Sequence, residues 1–81
     1  MIWDKLTSEE TSKINKNLPV LILLCATEQH GPHLPLSTDR LIGEHFIHEL
    51  NRLAEDKFIL LPTIPIGCSD HHMDFEGTLT F

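Results

Sequence analysis

An unbroken apolar run, Val20-Leu21-Ile22-Leu23-Leu24-Cys25-Ala26, constrains this chain more than any other feature. It has no polar side, so as a strand it must be covered on both faces, as in a parallel sheet. Seven residues are too few for a buried helix. Just past it comes Glu28-Gln29-His30-Gly31-Pro32-His33-Leu34-Pro35-Leu36-Ser37-Thr38-Asp39. Gly31, Pro32 and Pro35 deny residues 27–37 regular hydrogen bonding and make them a loop. Carboxylates and imidazoles at the end of a buried strand stand where open α/β sheets bind their ligands.

The remaining punctuation supports that architecture. Thr7-Ser8-Glu9-Glu10 reads as a capping box, with a short helix following to about Lys16. Asn17-Leu18-Pro19 stops it, because proline disfavours helix in the residue before it. Ser37, Thr38 and Asp39 are all good N-caps. From 40 to 55, Leu41, Ile42, Phe46, Leu50, Leu53 and Ala54 fall on one helical stripe, with Glu44, Glu49, Asn51 and Arg52 away from it. Residues 57–62 read as a second short buried strand. Strand, loop, helix and strand make a βαβ unit with right-handed crossover and parallel pairing. Residues 63–78 are turn-rich, and Leu79-Thr80-Phe81 resembles the start of another element. A lone βαβ unit leaves most of both sheet faces uncovered.

Bulk properties narrow the function. A chain of 81 residues is one domain at most and buries only roughly 60% of its unfolded surface. A hydrophobic content of 41% is enough for a core and argues against disorder. A net charge of −6 without clustered Lys or Arg argues against nucleic acid and anionic membrane as partners. No apolar run approaches the ~20 residues of a membrane span. Met1-Ile2-Trp3-Asp4-Lys5 lacks the pattern of a secretion signal. The expected location is the cytoplasm, with Cys25 and Cys68 as reduced, largely buried thiols.

Chemistry concentrates past the first strand. On extended backbone, Glu28 and His30 point to one side. If the loop folds back, Asp39 at the helix start joins them, and three donors meet around one or two divalent cations. Asp39 is the natural bridge, since it comes from a different element. Bland readings compete: Asp39 as a helix cap, His30 as a loop hydrogen-bonder. Glu28 resists one, because a carboxylate at the end of an apolar strand is costly unless paired or metal-bound. His33 reads as support for the loop or a ligand. His45 and His48 read as surface residues, three apart and so outside an HExxH pattern. His71 and His72 are either chance loop histidines or substrate contacts and proton carriers.

Residues 28–39 closely resemble the signature of the creatininase (creatinine amidohydrolase) family. A second match is Pro65-Ile66-Gly67-Cys68-Ser69, His72 and Phe75-Glu76-Gly77-Thr78-Leu79, similar to the family's Gly-x-Ser-x-x-His-x-x-Phe-Pro-Gly-Thr segment, with Glu76 where proline is usual. The resemblance implies a three-layer α/β/α fold with a mainly parallel sheet, in homo-oligomers that are often hexamers. It implies two divalent metal ions, zinc with manganese or iron. Glu28, His30 and Asp39 match metal ligands, Asp39 in the bridging place, and His72 matches a catalytic-site position. The family's remaining ligands lie in a downstream segment that this sequence lacks, so residues 1–81 are expected to be the N-terminal part of a single domain and inactive alone.

The implied activity is hydrolysis of a C–N bond in an amide or cyclic amide through a metal-bound hydroxide, with a histidine supplying the leaving group's proton. The family's substrates are small amides, a formamidopyrimidine nucleotide, a precursor peptide and a keto-inositol ring, and nothing in this segment selects among them. The alternative is a non-catalytic binding or assembly domain that keeps the fold. A mononuclear metal-storage or sensing module is a third reading, weakened by the absence of thiolates beside the carboxylates.

Overall fold

Two parallel strands joined through one long helix carry the molecule. The structure is a computed structural model and describes residues 1–81. A 3-10 turn (Trp3–Lys5) precedes α1 (Ser8–Ser12), β1 (Val20–Leu21), α2 (Thr38–Leu53), β2 (Ile59–Leu60) and a second 3-10 turn (Asp70–His72). Val20 pairs with Ile59 and Leu21 with Leu60, in parallel. The expected βαβ unit is therefore present, and the chain is α/β.

The strands are shorter than their apolar runs. Ile59 N–H donates to the Pro19 carbonyl and Leu61 N–H to the Leu21 carbonyl, both at 2.9 Å. After Leu61 the pairing slips by one residue, since Ile64 rather than residue 63 takes the next donor place opposite Leu23, and the regular ladder stops there. It resumes as an isolated bridge between Leu24 and Ile64, where Cys25 N–H donates to Ile64 and Ile64 N–H to Leu23. Ile2 pairs with Leu60 from the other side, and Thr27 lies antiparallel to Leu79. The closing residues thus return to the end of the first strand, beside the loop that follows it.

The capping box forms at α1: Thr7 Oγ1 accepts from Glu10 N–H at 3.1 Å while Glu10 Oε1 accepts from Thr7 N–H at 3.3 Å. This helix ends at Ser12 rather than near Lys16. Beyond it, the Asn15 side chain accepts from Asn17 N–H at 2.9 Å and offers the backbone a competing turn.

Helix α2 has the expected length, and the face it turns to the sheet is not its apolar stripe. A Cβ on Gly43 would lie 3.0 Å from Leu23, so this glycine is where the helix backbone meets the sheet. Asn51 faces inward too, its Oδ1 accepting from the Met1 ammonium at 2.7 Å. Leu41, Ile42, Phe46 and Leu53 are 51–73% exposed. The apolar stripe read from the helical period therefore points away from the strands. Val20, Ile22 and Leu24 are exposed as well, leaving one side of the first strand bare.

The buried apolar core consists of Phe58, Ile59 and Leu60 alone. The radius of gyration is 15.6 Å, against about 12 Å for a compact domain of this length. Residues 1–81 thus form an extended α/β unit with a sparse core. Cys25 is half-buried, and desolvation raises its thiol pKa. Cys68 is exposed, contrary to the expectation of two buried thiols. No helix is long and apolar enough to cross a membrane.

Candidate metal centre

The loop after the first strand does fold back. Glu28 N–H donates to the Leu36 carbonyl at 3.2 Å, closing a ring of backbone around the two prolines. Gly31 sits at φ +85°, a left-handed conformation that glycine adopts without steric cost. This closure sets the start of α2 beside Glu28. Ser37 occupies the N-cap position without a side-chain cap bond, and Asp39 lies in the first turn. Its carboxylate is thus free to face the loop.

There Asp39 Oδ1 meets His30 Nε2 at 3.1 Å, while His30 Nδ1 lies 3.1 Å from the Glu28 carbonyl oxygen. Only Nδ1–H can serve that carbonyl, so Nε2 is the nitrogen turned toward the carboxylates. An imidazole anchored in this way presents its Nε2 lone pair to a cation. One ligand atom each from Glu28, His30 and Asp39 lies within 4.8 Å of the others. The structure brings together the three residues expected to converge. Two carboxylates and an imidazole suit zinc, manganese or iron rather than soft metals.

The electrostatics fit a cation. The bond to the Glu28 carbonyl and the Asp39 carboxylate raise the His30 pKa against the opposing effect of desolvation. A hydrogen bond from the Ser69 hydroxyl lowers the Glu28 pKa, helped by His72, His71 and His30 and opposed by desolvation. Both shifts favour the charged forms, the Glu28 carboxylate and the His30 imidazolium, and a proton on His30 competes with a cation for Nε2.

His72 arrives from the second 3-10 turn. Its Nε2 lies 3.9 Å from Glu28 Oε1, and its Nδ1 3.1 Å from Gln29 Nε2. His71 packs edge-on against it, ring centroids 4.3 Å apart. Glu28, His71 and His72 form a second group whose ligand atoms lie within 4.8 Å of one another. His33 belongs to neither group: its exposed ring lies 3.5 Å from where a Gly31 Cβ would be. His45 and His48 are exposed along α2.

Three contributors received no role from the sequence. Ser69, 1% exposed, is the most buried residue of the chain, and its hydroxyl lowers the Glu28 pKa. Thr78 is buried and accepts from Gln29 N–H at 3.4 Å. Gln29 itself links the first loop to His72. The available signal was position: each stands inside one of the two motif stretches, among residues already singled out.

The creatininase family model, described as creatinine amidohydrolase, matches residues 4–81. The chain belongs to the creatininase family. Within it, the chain is 32% identical over 85 residues to the mycofactocin precursor peptide peptidase of Mycobacterium tuberculosis, covering 94% of this chain and 34% of that protein. It is 34% identical to the protein of that name in Mycobacterium ulcerans, covering 98% and 35%. With that in Mycolicibacterium smegmatis it shares 35% identity, covering 75% and 26%. This creatininase-family chain thus spans about a third of the length of the curated relatives it matches. They are named as peptidases, which supports a hydrolase.

Proposed function

We propose that the protein carrying this segment is a metal-dependent amidohydrolase that cleaves a C–N bond of an amide. A peptide amide is the preferred substrate class, because the relatives are named as precursor peptide peptidases. The observation that carries this reading is the meeting of Glu28, His30 and Asp39, with His30 anchored through Nδ1. Two divalent ions, zinc with manganese or iron, would suit the donor set, and Glu28, His30 and Asp39 would contribute to holding them. When bound, they supply Lewis acidity to the attacking water and to the amide carbonyl.

The chain's own residues prepare that chemistry. The Ser69 hydroxyl favours the ionised form of Glu28, the form a cation binds. The Glu28 carbonyl fixes the His30 ring so that Nε2 faces Asp39. His72 stands on the other side of Glu28, where an amide approaching the carboxylates would meet its Nε2. In the reading we adopt, residues 1–81 are the N-terminal part of a single three-layer domain in a homo-oligomer, and further ligands come from outside them.

The test is metal analysis and peptide hydrolysis on the intact protein. Chelation should abolish activity and refilling with zinc or manganese should restore it. Full activity in the chelated protein would overturn the proposal. The bare stripe of Leu41, Ile42, Phe46 and Leu53 favours a second reading, an assembly domain that keeps the fold without catalysis. Such a domain would keep its partners after stripping and cleave nothing after refilling.

A further inference from the structure

Glu28 belongs to two groups of potential ligands, one with His30 and Asp39 and one with His71 and His72. The two histidines facing it are wired differently. His30 Nδ1 points at a carbonyl oxygen, which only accepts, so its Nε2 is the free nitrogen. His72 Nδ1 points at the Gln29 side-chain amide. Whether that amide gives or takes depends on which of its ends faces the ring.

A second bond decides this. Gly31 N–H donates to Gln29 Oε1 at 2.9 Å. Turning the amide over would set its NH₂ against that N–H, donor against donor. Gln29 therefore presents NH₂ to His72, and His72 Nδ1 must accept. The ring proton is left on Nε2, the nitrogen 3.9 Å from Glu28 Oε1. That distance exceeds hydrogen-bond length, so Glu28 does not consume the N–H.

We infer that Gln29 is a positioning residue that holds His72 in its Nε2–H tautomer, making it a hydrogen-bond donor to the reacting carbonyl oxygen rather than a metal ligand or a proton carrier. A protonated Nε2 has no lone pair for a cation, so the group of Glu28, His71 and His72 is not a metal site. A fixed donor in a half-buried site stabilises negative charge as it develops on oxygen, without surrendering its proton. This differs from the proton-supplying role expected of a histidine from the sequence. The donor function rests on the hydrolase reading, whereas the tautomer assignment rests on geometry alone.

The test uses the intact zinc-loaded protein labelled with ¹⁵N-histidine. Long-range ¹H–¹⁵N correlation spectra report which ring nitrogen carries the proton, and His72→Gln identifies the His72 signals. The expected pattern is an unprotonated Nδ1 and a protonated Nε2. Gln29→Glu keeps the acceptor for Gly31 but removes the donor to His72, so the pattern should reverse. A protonated Nδ1 in the unaltered protein would overturn the proposal whether or not the variant folds. So would loss of a metal equivalent in His71→Ala, since this would mean the second group binds. In hydrolysis of a peptide amide, Gln29→Glu should lower kcat by about 100-fold with KM little changed. A reversed tautomer with an unchanged kcat would overturn the donor role. An unaltered protein that binds zinc and shows the expected tautomer but cleaves no amide would sink the hydrolase reading and leave the Gln29 assignment standing.

Discussion

The polar end of the sheet and its apolar flank are built to different degrees of completion. At the polar end nearly every site residue has a partner: Glu28 with Ser69, His30 with Asp39, Gln29 with Gly31, Thr78 and His72. On the flank, Phe46 and Leu53 are exposed on α2, as are Val20, Ile22 and Leu24 on the first strand. Hydrogen bonds are short-ranged and directional, so a few residues on two loops and a helix start can satisfy one another locally. Hydrophobic burial needs area, and one strand pair with one helix cannot supply it. The site is thus specified by local bonds while the apolar flank stays bare.

The most severe way to break this contrast is to remove the donor that spans two elements. Asp39→Ala should lower the affinity of the intact protein for zinc or manganese by more than about 100-fold, since substitutions one shell further out already cost ten- to a hundredfold. Isothermal titration checks it. Unchanged stoichiometry and affinity would mean that Asp39 only ornaments the helix start. Gly77→Ala comes next. Gly77 holds φ +87°, and a Cβ there would lie 2.7 Å from Leu36. The expected destabilisation is about 1–3 kcal/mol, measured by denaturant unfolding. Because Leu36 closes the Glu28 loop, metal affinity should fall with it.

Ser69→Ala probes a subtler support. Its hydroxyl lowers the Glu28 pKa, so its loss should raise that pKa and weaken metal binding by about tenfold. A carboxyl-resolved NMR titration reads the first effect directly. The pH response of the metal-free protein has a definite sign. The His30 pKa is raised on folding, so its contribution is complete below the ordinary imidazole range and fades as pH rises through the raised value. The Glu28 pKa is lowered, so its contribution is complete above the ordinary carboxylate range and fades as pH falls through the lowered value. Both act together between about pH 4.3 and 6.5, where thermal stability of the stripped protein should peak. Metal affinity runs the other way. It should keep rising with pH beyond the ordinary imidazole range, because the raised His30 pKa lets a proton compete with the ion there.

The same contrast explains what the sequence made legible. The parallel pairing and α2 were readable because an apolar run and a helical period are local patterns. Glu28 and His30 were readable because alternate residues share a side, and Asp39 because a stiff loop returns the chain to its own start. The inward face of α2 was not. Its apolar stripe identifies a surface suited to burial but not what buries it, and Gly43 let the backbone approach the sheet from another side. Strand length was overstated because the pairing slips by one residue between Leu60 and Ile64, which hydropathy does not register. Gln29 and Ser69 act through single hydrogen bonds across sequence gaps of 43 and 41 residues, Gln29 to His72 and Ser69 to Glu28. Such bonds leave no periodicity to detect.

The mildest intervention tests whether the two regions are truly independent. Phe46 is 71% exposed on α2, seven residues after Asp39 and so about 10 Å along the helix. Sites that far apart without shared partners are coupled by no more than about 0.5 kcal/mol. Phe46→Ser should therefore change metal affinity by about twofold at most. Its effect should appear instead in sedimentation, as weaker self-association, if the stripe is where copies meet. A large loss of metal affinity would mean that whatever covers the stripe also sets the pitch of α2 and, through it, the place of Asp39. The polar end would then depend on the flank for its geometry, and the local hydrogen bonds would no longer suffice to explain why the three ligands meet.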